Sequence, residues 1–252
     1  MFPFILATLL ATGITAANPL PHNTNIKRAG PPAFFLAGDS TTASDGGWGD
    51  AFVSDITGGA TGANYGDSGA TTSSFRADGI WNEVLAAVSA AASDYTPYVT
   101  IQFGHNDQKT EEGLDVFLDN LVQFYNDVKD AGGEPIFLTS LSRRNYGDDG
   151  TITDDLENVV ALTKQAAEQT GALSADLNLA SRTYLNEIGE EDAHTYNLSE
   201  DDNTHLNEEG STVFAGIVGL LLKELNADFD EYIALDEALV AAIEAGEYYW
   251  PE

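Results

Sequence analysis

The sequence has no cysteine and few basic residues, and each shortage excludes a class of protein. Without cysteine there are no disulfides, so stability has to come from the burial of an apolar core. Lys and Arg number 10 against 41 Asp and Glu, which gives a formal net charge of −31. A surface this acidic repels nucleic acid and anionic membranes, so neither is an expected partner.

Long apolar runs are also scarce, and the length of the one at the N-terminus indicates a targeting signal. Phe2–Ala17 is uncharged, matches a signal-peptide core in length and is too short to span a bilayer. A short polar stretch then ends at Lys27-Arg28, a pair typical of propeptide processing, although a chance dibasic pair is the alternative. We therefore predict a signal peptide over 1–17, a propeptide over 18–28, and a secreted, extracellular protein.

The remaining chain alternates short apolar runs with helical patterns. The predicted strands are 33–37, 98–103 and 135–141, with weaker ones at 62–65 and 172–177. The predicted helices are 48–56, 79–92, 114–131, 154–170 and 207–226. This alternation predicts an α/β fold of three layers, α/β/α, with a central parallel sheet of about five strands. We place this domain at 29–226, followed by an acidic segment at 227–252 that forms either a last amphipathic helix or a tail.

Polar residues that suit nucleophilic catalysis follow the first predicted strand and precede the last predicted helix. Ser40 comes directly after the first strand, at the sheet edge where such folds place their ligands. Asp202 precedes His205 by three residues, and on a loop this spacing lets the carboxylate accept the Nδ1–H of the imidazole. The Nε2 atom is then free to take a serine proton. Each motif alone also suits an ordinary turn or a helix cap, but their conjunction predicts a triad.

Two further positions supply hydrogen-bond donors after neighbouring strands. Asn106 follows the strand at 98–103, and Gly69 follows the second strand. Their amide groups, with the backbone N–H of Ser40, form a predicted three-donor oxyanion hole.

These motifs, in this order, resemble the four blocks of the SGNH (GDSL-like) hydrolases, from about Ala33 to Leu222. The resemblance implies a flavodoxin-like fold, Ser40 as nucleophile, His205 as base with Asp202 as its partner, and Gly69 and Asn106 as oxyanion donors. Within that family, the chain resembles the rhamnogalacturonan acetylesterase branch. The residues that carry this resemblance are Thr41 after Gly-Asp-Ser, the run Gly104-His105-Asn106-Asp107, and Ser142-Arg143-Arg144.

The resemblance implies a serine esterase that removes acetyl groups from plant cell-wall polysaccharide, most of all rhamnogalacturonan, through an acetyl-enzyme. The alternatives are an acetylxylan esterase, a short-chain lipase-like esterase, and an inactive domain that binds carbohydrate. No phosphate-binding loop, dinucleotide fingerprint or zinc spacing occurs, and the acidic clusters lack a calcium-loop pattern, so we expect neither cofactor nor metal. We expect a monomer.

The few basic residues predict how an acidic polymer is held. Four of them follow predicted strands: Arg76, Lys109, Arg143 and Arg144. We predict a small positive region beside Ser40 in which Arg143 or Arg144 contacts a uronate carboxylate.

Two other residues have open roles. His105 contacts substrate, orients Asn106 or is a structural histidine. Asn197 begins the sequon Asn197-Leu198-Ser199, which predicts glycosylation on an exposed loop.

Overall fold

The computed structural model describes residues 30–251. The predicted signal peptide and propeptide lie outside these residues, so secretion stays a prediction. The strands are β1 (Pro32–Gly38), β2 (Thr61–Asn64), β3 (Thr96–Gln102), β4 (Glu134–Leu138) and β5 (Leu173–Ala175). The α-helices are α1 (Gly49–Ser54), α2 (Thr72–Ala77), α3 (Ile80–Ala91), α4 (Glu111–Asp130), α5 (Glu157–Thr170), α6 (Leu177–Ile188), α7 (Glu190–His194), α8 (Glu208–Leu225) and α9 (Glu237–Ala245). Short 3₁₀ turns cover Asp107–Lys109 and Ala227–Glu231.

The five strands form one sheet in the order β2-β1-β3-β4-β5, and every neighbouring pair is parallel. The predicted three-layer fold is confirmed. Because the strands are parallel, the loops after β1, β2 and β3 leave the sheet at the same edge. The predicted strand at 135–141 ends earlier, at Leu138, which is paired with Ala175, the last residue of β5.

The apolar runs of the strands are explained by burial on both faces of the sheet. Along β1, Phe34 and Leu36 belong to one hydrophobic core, with α1, α6 and α8. Phe35 and Ala37 belong to a second core, with α3, α4 and α5. Among the described residues, no helix combines the length and apolarity that crossing a bilayer requires.

Helix α6 was absent from the predictions because its buried face carries polar side chains. Asn178 Nδ2 donates to the carbonyl of Ser140 at 3.0 Å, and Ser181 Oγ donates to the carbonyl of Leu177 at 2.7 Å. These hydrogen bonds satisfy the polar side chains inside the protein. In the sequence, the same polar residues interrupt the periodic pattern of apolar residues by which a helix is predicted.

The C-terminal segment packs against α8 and then ends in a short fixed tail. Gly216 of α8 leaves room for Leu239 of α9, since a Cβ at this glycine would lie 2.7 Å from a methyl carbon of that leucine. Beyond α9, the hydroxyl of Tyr196 donates to the carbonyl of Tyr249 at 2.5 Å. The ring of Trp250 stacks on Tyr196 with an interplanar angle of 8°. The tail therefore rests on the residue that precedes Asn197.

Candidate active site

Ser40 lies on a tight turn directly after β1. The turn is closed by a hydrogen bond from the N–H of Thr42 to the carbonyl of Asp39, at 3.0 Å. Glycine is needed at Gly38, because a Cβ there would lie 2.6 Å from the Cβ of Thr42. The turn leaves Ser40 at the carboxyl edge of the sheet, between the loops that follow β2 and β3.

A second loop, between α7 and α8, carries Asp202 and His205. Asp202 Oδ1 accepts the backbone N–H groups of Thr204 (3.0 Å) and His205 (2.9 Å), a local turn for which aspartate is well suited. The N–H of Leu206 donates to the carbonyl of Gly46 at 2.9 Å, which ties this loop to the segment that follows Ser40.

The two loops bring the three side chains of the predicted triad together. His205 Nε2 lies 2.9 Å from Ser40 Oγ, and His205 Nδ1 lies 2.9 Å from Asp202 Oδ2. Burial alone would raise the pKa of Asp202, but hydrogen bonds from the N–H and the imidazole of His205 hold it below its ordinary value. An ionised Asp202 accepts the Nδ1–H and directs Nε2 toward the hydroxyl. This arrangement can activate Ser40 as a nucleophile.

The predicted oxyanion donors lie on the two neighbouring loops. Gly69 has φ +85°, a conformation that favours glycine. Among the described residues, the backbone N–H groups of Ser40 and Gly69 have no hydrogen-bond acceptor. Asn106 Nδ2 donates to the carbonyl of Ala70 at 2.9 Å, while its Oδ1 accepts from Lys109 Nζ at 2.7 Å. One N–H of the Asn106 amide is left for a ligand.

His105 is inside the protein rather than at the surface of the site. Its exposed fraction is 2%, and its Nδ1 lies 3.5 Å from Asp39 Oδ2. The predicted contact with substrate is therefore wrong, because a side chain this deep does not reach a bound polymer. Of the roles left open by the sequence, the structural one fits.

Arg144 is also buried, with an exposed fraction of 0%. Its Nε donates to Asn197 Oδ1 and its Nη2 to the carbonyl of His205, both at 2.5 Å, with a longer contact from Nη2 to the carbonyl of Asp202 at 3.3 Å. Burial lowers the pKa of Arg144 to about 10, against the opposing charge of Asp202, so the guanidinium stays charged at neutral pH. The predicted contact of Arg144 with uronate is wrong, because this side chain braces the triad loop from within.

The predicted exposed position of Asn197 is wrong for the same reason, and its glycosylation stays a prediction. Asn197 is 7% exposed, and its Nδ2 donates to Asn203 Oδ1 at 2.8 Å while its Oδ1 accepts from Arg144. Both polar atoms of this side chain therefore have partners inside the folded loop.

The predicted positive region shrinks to two residues. Arg76 Nη1 is paired with Asp127 Oδ2 at 2.9 Å, on the side of α4. Arg143 is half-buried and donates from Nη1 to Thr204 Oγ1 at 3.3 Å, beside the triad loop. Lys109, which is exposed, lies beside Asn106. Of the four basic residues predicted beside Ser40, Arg143 and Lys109 are therefore the two placed to meet an anionic substrate.

The buried position of Arg144 leads to a stability prediction. Arg144→Met should destabilise the protein by about 3 kcal/mol, because three carbonyl acceptors lose their donor without gaining water. For a domain of this size the melting temperature should fall by roughly 6–12 °C in calorimetry. Arg143→Met is the matched control, since its half-buried guanidinium makes one long contact. Equal shifts in the two variants would contradict the bracing role.

Comparison with known proteins identifies the family of the chain. Residues 36–213 match the model of the GDSL-like lipase/acylhydrolase family. The rhamnogalacturonan acetylesterase RhgT of Bacillus subtilis is 27% identical over 228 residues, which cover 82% of this chain and 96% of that protein. A probable rhamnogalacturonan acetylesterase of the same species, YesY, is 25% identical over 214 residues, which cover 79% and 96%.

Solved structures share the fold. The acetylxylan esterase Axe2 of Geobacillus stearothermophilus superposes with a TM-score of 0.56 at 17% identity, over 79% of this chain and 95% of that one. A Bacillus subtilis protein, YXIM, superposes with a TM-score of 0.67 at 24% identity. That match covers 77% of this chain but only 56% of the longer relative.

Proposed function

Because the chain belongs to the GDSL-like lipase/acylhydrolase family and is a carboxylic ester hydrolase, we propose that it deacetylates a plant cell-wall polysaccharide with Ser40, His205 and Asp202. The observation that carries the proposal is the continuous contact from Ser40 Oγ through the imidazole to the Asp202 carboxylate, 2.9 Å at each step. Because the chain is an ester hydrolase, we set aside the alternative of an inactive carbohydrate-binding domain.

In the first half of the reaction, Ser40 Oγ attacks the acetyl carbonyl while His205 Nε2 takes the hydroxyl proton. The negative charge on the carbonyl oxygen is held by the N–H groups of Ser40 and Gly69 and the free amide N–H of Asn106. The tetrahedral intermediate then collapses. The bond to the sugar oxygen breaks, and His205 gives its proton to that oxygen as the deacetylated sugar leaves.

In the second half, water attacks the acetyl-Ser40 ester. His205 accepts a proton from the water and returns it to Ser40 Oγ as acetate leaves. Asp202 remains ionised throughout and stabilises the imidazolium that forms in each half, which agrees with the lowered pKa of its carboxyl. No cofactor takes part in these steps.

The preferred substrate is acetylated rhamnogalacturonan, for two reasons. Both curated relatives carry that activity in their names, one of them as probable, and each aligns over most of this chain. Arg143 contacts Thr204 of the triad loop and Lys109 contacts Asn106, and from these positions both can pair with a uronate carboxylate. Such a polymer cannot cross a membrane, which agrees with the predicted export of this enzyme.

Acetylated xylan is the second candidate, and the charge of the chain favours it. A net charge of −31 repels a polyanionic polymer at long range, whereas a neutral polymer approaches freely. Of the basic side chains in the described residues 30–251, we place two, Arg143 and Lys109, near the site to offset that repulsion.

A substrate panel tests the proposal. The enzyme should hydrolyse 4-nitrophenyl acetate and should release acetate faster from acetylated rhamnogalacturonan than from acetylated xylan or triacylglycerol. Faster release from xylan would support the second candidate, and activity confined to triacylglycerol would support a lipase-like esterase. An enzyme that hydrolysed none of these four substrates would contradict the proposed function.

A charge deletion tests the uronate contact. Arg143→Ala should lower kcat/KM on acetylated rhamnogalacturonan roughly fivefold, as expected for one partly exposed ionic contact, and should leave acetylated xylan almost unaffected. Arg182→Ala is the control, because Arg182 is paired with Asp154 rather than with a residue of the triad. Equal losses on the two polymers would mean that Arg143 only supports Thr204 and its loop.

A further inference from the structure

Two buried ionisable side chains lie directly beneath the proposed oxyanion hole and take no part in the steps above. Asp39 has an exposed fraction of 0% and His105 one of 2%. They follow β1 and β3, which are adjacent strands with Gly38 opposite Gln102 at their carboxyl ends. Their depth excludes a contact with substrate, so any effect on catalysis has to pass through neighbouring residues.

The Asp39 carboxylate joins the two loops. Its Oδ2 accepts the backbone N–H of His105 at 3.3 Å and lies 3.5 Å from His105 Nδ1. Its Oδ1 accepts the backbone N–H of Thr41 at 3.0 Å and the hydroxyl of Thr41 at 2.8 Å. The carboxylate is therefore bonded to the residue directly after Ser40 and to the residue directly before Asn106.

A second layer of hydrogen bonds holds this link in place. Gln102 Nε2 donates to Thr41 Oγ1 at 2.6 Å, and Trp48 Nε1 donates to Gln102 Oε1 at 2.7 Å. Burial alone would raise the pKa of Asp39, but the charge of His105 and the hydrogen bonds from His105 and Thr41 lower it. A buried carboxylate with this many donors has one orientation, because each lost contact would leave a desolvated charge.

We propose that Asp39 and His105 are positioning residues that set the distance between two oxyanion donors, the Ser40 N–H and the Asn106 amide. The inference rests on the proposed function, since it assigns a task within that hole. An oxyanion hole works only if its donors sit 2.7–3.1 Å from the charge that develops, and small displacements have large effects on rate. A link between the loops that carry the donors supplies this fixed spacing.

Asp39→Asn is the test variant because it keeps the shape and removes the charge. Its amide nitrogen then has to face donors, either at Thr41 or at His105, so one side of the link is lost. We expect kcat on 4-nitrophenyl acetate to fall about 30-fold, within the range for a misplaced catalytic group, with KM changed less than twofold. The concentration of active enzyme is measured by titrating Ser40 with a fluorophosphonate.

A double-mutant cycle with Asn106→Ala separates positioning from general loss of structure. If Asp39 acts through the Asn106 amide, Asp39→Asn should cost less than about threefold in the Asn106→Ala background. His105→Gln, taken through the same cycle, replaces Asp39→Asn if that variant does not fold. The control is Asp176→Asn, a helix-capping aspartate that accepts from Leu179 N–H and Thr139 Oγ1 and should leave kcat unchanged.

The possible outcomes are distinct. The same fold-loss in both backgrounds would overturn the positioning proposal while leaving the proposed function in place. An Asn106→Ala variant with unchanged kcat would overturn the oxyanion hole and the positioning proposal together. Loss of thermal stability with normal kcat per titrated serine would reduce Asp39 and His105 to a structural role and overturn the inference.

Discussion

Replacing Ser40 by alanine should lower kcat on acetyl esters by a factor on the order of 10⁴ or more, and His205→Ala should lower it by a similar factor. Ser40 Oγ is the atom that forms the acetyl-enzyme, and His205 Nε2, 2.9 Å away, is the group that takes its proton. The double variant should be little worse than either single one, because residues that act as a unit do not contribute additively. Rates of acetate release, with circular dichroism as a check of folding, measure this.

Asp202→Asn serves as an internal comparison for the triad. Asp202 orients the imidazole and stabilises its charge but carries no proton in transit, so its loss should matter less than that of Ser40 or His205. Esterase activity near that of the unaltered enzyme in a folded Ser40→Ala protein would show that another residue is the nucleophile.

Replacing Asn106 by alanine should lower kcat roughly 10²–10³-fold with little change in KM. The Asn106 amide is held by Ala70 and Lys109, and its remaining N–H serves a charge that exists only in the transition state. Steady-state kinetics on 4-nitrophenyl acetate give both constants.

Asn186→Ala is the matched control for Asn106, because Asn186 accepts a hydrogen bond from the N–H of Ile152 away from the loops that carry the triad. It should affect stability and leave kcat unchanged. A raised KM with normal kcat in Asn106→Ala would instead make Asn106 a residue that binds the ground state.

Features governed by neighbouring residues were predictable from the sequence. The helix α4 and the buried strand β1 depend on residues close in the chain, and both were predicted. The contact between Asp202 and His205 is equally local, because a spacing of three residues brings them together in one turn. Ser40 needed the fold as well, since it meets His205 only because the carboxyl edge of a parallel sheet collects its loops.

Features governed by side-chain direction were not predictable. Arg143 and Arg144 are adjacent, yet Arg143 contacts the triad loop at Thr204 while Arg144 is fully buried. Which of two neighbours points inward depends on acceptors supplied by Asn197 and His205, more than 50 positions away. The predicted exposure of Asn197 and the predicted substrate contact of His105 were wrong for the same reason, because a sequence motif carries no information about how deeply a side chain is buried.

The fixed tail determines how this enzyme can be attached to a solid support. Trp250 rests on Tyr196, which leads into the loop that carries Asp202 and His205, so a linker joined to this tail would pull on the segment that holds the triad. At the other end, β1 enters the sheet at Pro32 and runs seven residues before the turn that bears Ser40. That is about 23 Å of extended chain. Immobilisation through the amino-terminal side therefore leaves the acetylated face of a bulky polysaccharide free to approach.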